Sequence, residues 1–163
     1  MNAQTAISEF RFEKRRTQAQ VRLSSGEIAQ GCFFIAGGSA RHDGPERVWE
    51  LLNFEAGFFP FEVQDADGPH TVLYNRLHVV TVLLSDNEAS REPGYAVATR
   101  RAVTMRLSTG ECINGIVRVY RPEGRDRLSD WARQPELFRY VETDAQNLIV
   151  NTTHIVEVAE VFE

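Results

Sequence analysis

Two histidines stand at equivalent points of the sequence, and they are the first candidates for chemistry. Asn75 precedes His78 by three residues, and Asn151 precedes His154 by the same spacing. Histidines can ligate a metal or act as acid and base. No cysteine or carboxylate at metal-ligand spacing repeats with them, so no metal site is predicted. The pattern instead predicts a repeated structural turn in which the asparagine tolerates a positive φ angle and the histidine packs or hydrogen-bonds at a strand start.

No other catalytic motif is evident. The sequence lacks a GxSxG nucleophile elbow, an HExxH zinc motif and the GxGxxG or GxxxxGK[ST] spacings that cradle phosphates. Its two cysteines, Cys32 and Cys112, offer neither a disulfide framework nor a CxxC metal site and suit a reducing compartment. We therefore expect a protein that is not an enzyme and needs no cofactor or metal.

Arginines form the remaining charged candidate. A basic stretch in the second half contains Arg118, Arg121, Arg125 and Arg127. Such a stretch either contacts nucleic acid or an acidic partner, or protects a strand edge by its charge. Only Tyr120 accompanies it as a stacking platform for bases. Acidic side chains outnumber basic ones in both halves, and the formal net charge is -5, which disfavours nucleic-acid binding.

The elements that position these residues come from a tandem duplication. RLSSGE at residues 22–27 returns as RLSTGE at residues 106–111, and Gly31 returns as Gly115. Residues 47–52 match residues 127–132, and NRLHVVTV at 75–82 matches NTTHIVEV at 151–158. Ordered matches at nearly constant spacing indicate two copies of one unit. We expect a first repeat at 1–84, a polar linker with a Pro-Gly pair at 85–98, and a second repeat at 99–163.

Each unit is predicted to be mostly β. Apolar and polar residues alternate in residues 18–24 and 103–108, which predicts strands with one buried face. The following Ser-Ser-Gly and Ser-Thr-Gly segments predict hairpins into 28–35 and 112–120. Pro45 predicts the start of a short helix with Val48, Leu51 and Leu52 on one face. Three more strands are expected in each copy, at 58–64, 71–74 and 77–83, and at 138–142, 147–150 and 154–161.

Together these features resemble the small β-barrels of the Sm-like and SH3-like families. The features are a strand ending in Arg-Leu-Ser-x-Gly-Glu, a glycine near the start of the second strand, and a final Asn-x-x-His-[Val/Ile]-Val-x-Val strand. The resemblance implies a mainly β fold of two tandem five-stranded barrels, as in a duplicated bacterial type of unknown function, and a tendency to assemble. This sequence places its helix between strands two and three and lacks evident nucleotide-contact residues, so RNA binding is not carried over.

Comparison of the two copies predicts a contact surface. Phe34, Trp49, Phe54 and Phe59 of the first copy stand where the second copy has polar residues. Polar residues on a shared backbone position are expected to reach water. The four aromatics would then form an apolar patch outside the first repeat. Either a protein partner covers this patch or the second repeat of the same chain does.

The residues favour a cytoplasmic binding or assembly module that acts through protein–protein interaction or homo-oligomerisation. Two alternatives stay open: an Sm-like nucleic-acid-binding protein, and a small-ligand-binding protein with a pocket between the repeats. The sequence shows no secretion signal and no apolar run of the roughly 20 residues that cross a bilayer, so no membrane association is expected.

Overall fold

The structure is a computed structural model that describes residues 14–162, and it is mainly β. Residues 1–13, where the sequence shows no secretion signal and where the first repeat was expected to begin, lie outside this range, as does residue 163. No helix within the described range is long and apolar enough to span a bilayer.

The elements follow the order that the sequence predicts. The first repeat contains β1 (Lys14–Leu23), β2 (Ile28–Ala36), α1 (Val48–Phe54), β3 (Phe58–Asp65), β4 (Gly68–Asn75) and β5 (Val79–Leu84). The second contains β6 (Thr99–Leu107), β7 (Cys112–Val119), α2 (Leu128–Ala132), β8 (Phe138–Glu142), β9 (Asn147–Asn151) and β10 (Ile155–Glu160). A 3-10 turn at Glu88–Arg91 lies in the linker. Most predicted boundaries fall within a few residues of these bounds.

All ten strands belong to one antiparallel sheet. The strand order is β10-β6-β7-β8-β9-β5-β1-β2-β3-β4, and the sheet does not close. Each repeat therefore has the same internal order, with its fifth strand beside its first and its fourth strand at the other end. The sequence predicted two separate barrels. The repeats instead share a continuous sheet because β5 pairs with β9 across the repeat boundary.

Repeated glycines explain the shared local geometry. Gly26 and Gly110 have φ angles of 91° and 88°, which lets the β1–β2 and β6–β7 hairpins turn tightly. A Cβ atom at Gly31 would lie 1.8 Å from the carbonyl oxygen of Glu62, and one at Gly115 would lie 2.7 Å from that of Glu142. At these glycines the backbone of the second strand lies so close to that of the third strand that no side chain fits between them.

The helix α1 begins later than predicted. It starts at Val48, so Pro45 precedes the helix instead of occupying its first turn. The Val48 N–H donates to Oε1 of Glu88 at 2.9 Å, and the Trp49 N–H donates to Oε2 at 3.0 Å. A buried carboxylate from the linker therefore satisfies the exposed donors at the helix start, which local sequence does not reveal.

Candidate functional site

The two repeats meet at a junction between paired strands within the described chain. Strands β5 and β9 run antiparallel, with Thr81 opposite Val150 and Leu84 opposite Asn147. The junction therefore joins the fifth strand of one repeat to the fourth strand of the other. This arrangement satisfies the backbone donors and acceptors of both edges.

Apolar side chains cross the junction in both directions. Phe138 and Ile149 of the second repeat are fully buried in the core of the first repeat. Val80 of the first repeat is fully buried in the core of the second. Full burial of each such side chain contributes about 1.5–3 kcal/mol. Neither core is complete without the other repeat.

Asn151 and His154 hold the polar part of the junction. Asn151 is buried, its Nδ2 donates to the carbonyl oxygen of Val79 at 2.9 Å, and its Oδ1 accepts from the Thr153 N–H at 3.0 Å. The Nε2 of His154 lies 2.8 Å from the carbonyl oxygen of Leu77. Because a carbonyl only accepts, Nε2 carries the proton, and in the neutral ring Nδ1 accepts from the Ser108 hydroxyl at 2.9 Å.

The equivalent residues of the first repeat lack the cross-repeat bonds. The Oδ1 of Asn75 accepts from the Leu77 N–H at 3.0 Å, and the Nδ1 of His78 lies 2.7 Å from the Ser24 hydroxyl. Within residues 14–162, Nδ2 of Asn75 and Nε2 of His78 have no hydrogen-bond partner in the chain. Their counterparts in the second repeat, Nδ2 of Asn151 and Nε2 of His154, are the groups that bond across the junction.

The predicted positive φ angle at these asparagines is wrong. Asn75 and Asn151 both have φ angles of -79°, and among the described residues only glycines have positive φ. Each asparagine instead caps a short 3-10 turn, Arg76–His78 or Thr152–His154, by accepting a backbone N–H two residues later. A side-chain cap therefore makes the turn without any backbone strain.

The helix α1 also contacts the second repeat. The indole Nε1 of Trp49 donates to the Phe138 carbonyl at 2.8 Å, and Asn53 exchanges two hydrogen bonds with the Phe138 backbone at 2.9 and 3.0 Å. The Tyr140 hydroxyl donates to Oε2 of Glu88 at 2.6 Å. Burial, followed by the Glu88 carboxylate, raises the pKa of Tyr140 well above its usual value of 10.0, so this hydroxyl remains a donor.

The structure does not place the four predicted aromatics on one exposed patch. Phe59 is fully buried and Trp49 lies against the second repeat, whereas Phe34 is partly buried and Phe54 is exposed. The prediction of one exposed aromatic patch is therefore wrong: Phe59 is inaccessible to a partner, and Trp49 contacts the second repeat of the same chain.

The physical reason lies in Arg139, the counterpart of Phe59. Its guanidinium is buried and donates to the carbonyls of Trp131, Gln134 and Glu136, which end α2 and the turn after it. In the first repeat, buried Arg76 takes this role at the end of α1. It donates to the carbonyls of Leu51, Ala56 and Phe58 at 2.9–3.1 Å. An arginine thus reaches the same helix end from β8 in the second repeat and from the 3-10 turn after β4 in the first, and burial lowers the pKa of both arginines.

The predicted basic stretch divides into neutralised and free arginines. Arg118 pairs with Glu142 at 3.2 Å, and Arg127 pairs with Asp130 at 3.6 Å. Arg121 and Arg125 are exposed and make no ion pair in the part of the chain that the structure describes. Two of the four arginines of the predicted patch are therefore already paired with carboxylates.

The two outer strands expose apolar residues. At one edge, Leu73 on β4 is 66% exposed, and Phe58 at the start of the neighbouring β3 is 62% exposed. At the other edge, Val156 on β10 is 53% exposed. Their counterparts in the aligned repeats are Phe138, Ile149 and Val80, which the junction buries. Within residues 14–162, no group of three or more His, Cys, Asp or Glu side chains is placed to hold a metal ion. The outer strands are therefore the site that the structure adds to the sequence predictions.

Comparisons with known proteins give no relative: no family model matches the chain, and neither the curated proteins nor the solved structures contain a significant match.

Proposed function

We propose that this protein is a non-catalytic assembly module whose copies join head to tail, with β4 of one copy pairing with β10 of the next. The observation that carries the proposal is the β5–β9 junction inside the chain. In the shared strand order, β4 and β10 hold the places of β9 and β5, and each lies at an open end of the sheet. An unpaired strand edge is a template for another strand.

The internal junction specifies the register of the proposed contact. Transferring the β5–β9 register to the equivalent residues pairs Glu157 with Tyr74 and Glu160 with Thr71. The same superposition brings the free Nδ2 of Asn75 to the carbonyl oxygen of Ile155. It also brings Nε2 of His78 to the carbonyl oxygen of Thr153. Nδ2 of Asn75, and Nε2 of His78 in the tautomer that carries its proton there, thereby gain an acceptor in the next chain.

Apolar burial supplies the driving force of the proposed contact. Phe58 and Leu73 take the buried positions of Phe138 and Ile149, and Val156 takes that of Val80. Fully burying such side chains contributes about 1.5–3 kcal/mol each before the entropy of association is subtracted. The open edges therefore expose apolar side chains at the three positions that the internal junction buries.

Charge complementarity supports the same partner. At the internal junction, Arg22 of the first repeat pairs with Glu111 of the second at 2.9 Å. The equivalent residues at the open ends are Arg106 and Glu27, which also carry opposite charges. Glu27 makes no ion pair within the described range. Arg106 pairs with the exposed Glu157 of its own chain, and in the proposed contact it pairs with Glu27 of the next copy instead.

The proposed interface is heterologous, because each copy contributes a different edge. Repetition of such a contact builds a ring or a filament from a single type of junction. The strand order in each repeat and the twin hairpins also support the proposal that each unit has an Sm-like arrangement of five strands within the shared open sheet. Free thiols at Cys32 and Cys112 suit the reducing cytoplasm, where we propose that the assembly resides.

Mixing two edge variants tests the proposal. Leu73→Asp blocks the β4 edge, Val156→Asp blocks the β10 edge, and Val97→Asp places the same charge on an exposed linker residue as the control. We expect each edge variant to sediment as a single chain and the control to sediment as wild type. An equimolar mixture of the two edge variants should form a dimer, because each variant retains one intact edge.

The outcomes separate head-to-tail assembly from other modes of association. A mixture that remains monomeric while wild type assembles would show that association uses another surface. Nucleic-acid binding in the Sm manner is the weaker candidate, since two of the four basic-stretch arginines are paired with carboxylates. Assembly of wild type only after RNA is added would favour that candidate instead.

A further inference from the structure

A cavity of about 310 Å³ lies between the repeats and the linker. Aromatic side chains from both repeats and from the linker line it: Trp49, Tyr95, Tyr120, Trp131 and Tyr140. Its volume is at the lower end of the range of cavities that hold small organic ligands. It does not involve the outer edges of β4 or β10, so its role is independent of the proposed assembly.

The aromatic walls of the cavity are held in place. The rings of Trp49 and Tyr140 stack at a centroid separation of 6.0 Å and an interplanar angle of 20°. The indole N–H of Trp49 is bonded to the Phe138 carbonyl, and the Tyr140 hydroxyl is bonded to Glu88. Fixed aromatic faces accept a planar ring with little loss of side-chain entropy.

Two polar groups in the cavity have no partner of their own. The hydroxyl of Tyr120 and the side-chain amide of Gln134 line the cavity and make no hydrogen bond in the chain from residue 14 to 162. Burial, then the neighbouring Glu92, raises the pKa of Tyr120 to about 12, so its hydroxyl is a donor at neutral pH. Two carboxylates of the cavity are engaged, since Glu142 binds Arg118 and Glu92 binds Arg47; a third, Glu136, makes no ion pair within the described range.

A cationic depression adjoins the cavity. It shares Arg121 and Gln134 with the cavity, and Arg125 and Arg133 complete its basic lining. Its one carboxylate, Asp130, accepts from the Arg127 N–H at 2.9 Å. Arg121, Arg125 and Arg133 make no ion pair within the described range. Guanidinium groups in such a cluster favour a phosphate or carboxylate.

We propose that this cavity binds a small aromatic anion, with the planar ring against Trp49 and Tyr140 and the anionic group on Arg121, Arg125 and Arg133. A mononucleotide has this chemistry, and so does an aryl phosphate. The modest volume of the cavity and the net charge of -5 favour a small molecule over a polyanionic strand. The bound ligand contacts residues of the first repeat, the linker and the second repeat.

Tryptophan fluorescence of the full chain tests this proposal, because both tryptophans line the cavity. The probes are adenosine 5′-monophosphate and phenyl phosphate, with adenosine and inorganic phosphate as the two half-ligands. We expect a saturable change with at least one probe and affinities at least about tenfold weaker for its half-ligands. Isothermal titration of the same solutions confirms that binding, and not light absorption by the probe, changes the signal.

Matched variants assign the binding to named residues. Arg121→Ala combined with Arg133→Ala should weaken probe binding about tenfold or more, because charge-assisted hydrogen bonds to the anion are lost. Arg15→Ala removes an equally exposed arginine on β1 and should leave the affinity unchanged. Tyr120→Phe should weaken binding of the probe while leaving the thermal midpoint unchanged.

Three results would overturn the proposal. One is the absence of a saturable change with either probe up to about 5 mM, the weakest range of specific binding. Another is unchanged affinity in the double arginine variant. The third is binding of an eight-residue oligoadenylate with no binding of the mononucleotide, which would assign the arginines to a nucleic-acid strand.

Discussion

Replacing Asn151 with alanine removes a buried side chain that bridges the two repeats, whereas replacing Asn75 removes only a turn cap. Asn151→Ala loses the bonds to the Val79 carbonyl at 2.9 Å and from the Thr153 N–H at 3.0 Å. Each contributes a net stabilisation of about 1 kcal/mol, and burial of the remaining groups without a partner adds about 1 kcal/mol or more. We expect a loss of about 3 kcal/mol. Asn75→Ala loses one cap and should cost about 1 kcal/mol.

The assay is urea denaturation followed by circular dichroism, with both substitutions made in the Leu73→Asp background. That background keeps the chain monomeric on our account, so the free energy of unfolding does not contain association. In the native background, Asn75→Ala should also weaken self-association, which sedimentation measures. Equal destabilisation by the two alanine variants would refute the assigned asymmetry between the internal junction and the open edge.

Three further predictions follow from the same contacts. In the monomeric Leu73→Asp background, Phe138→Ala should lower the free energy of unfolding by about 3–5 kcal/mol, and Phe58→Ala by under about 1 kcal/mol because Phe58 is exposed in the single chain; thermal unfolding of both measures the difference. Gly31→Ala should cost about 3 kcal/mol or prevent folding, since its Cβ would collide with the Glu62 carbonyl, whereas Gly38→Ala has open space and should be nearly neutral in urea titrations. His42→Asn should flatten the pH dependence of stability as the pH rises above the ordinary histidine pKa of 6.5. The bond to the Asp43 carbonyl and then the contact with Glu50 raise the pKa of His42 above 6.5, so wild type loses this stabilisation as pH rises through the raised value; equal slopes in both proteins would contradict the assignment.

Local sequence signals predicted most of the secondary structure. Strand alternation and the Ser-x-Gly turns are encoded within a few residues, so β1, β2, β6 and β7 fall where the pattern places them. The repeated Gly31 and Gly115 also marked a real constraint, because each lies where two backbones approach too closely for a side chain. These features need no knowledge of distant contacts.

The continuous sheet was not predictable from such signals. The β5–β9 pairing joins residues far apart in the sequence, and nothing local in Thr81 or Val150 distinguishes a strand within a barrel from one that crosses the repeat boundary. The same holds for Glu88, a linker residue that caps α1. Non-local partners decide both features.

The buried position of Phe59 was not predictable from the residue type of its counterpart, because a charged residue is not always exposed. Arg139 is buried, since the carbonyls at the end of α2 satisfy its guanidinium. A signal for this exchange does exist in the repeat alignment. Where the first copy has Phe59 and Arg76, the second has Arg139 and Thr152, so one arginine is retained in each unit at alternative positions.

The molar mass of the full chain in solution, measured by light scattering over a range of concentrations, tests the assembly most directly. Head-to-tail pairing of β4 with β10 predicts a mass above 18.5 kDa, from two or more chains, that returns to 18.5 kDa in Leu73→Asp. A wild-type mass of 18.5 kDa at every concentration would contradict the pairing of the open edges.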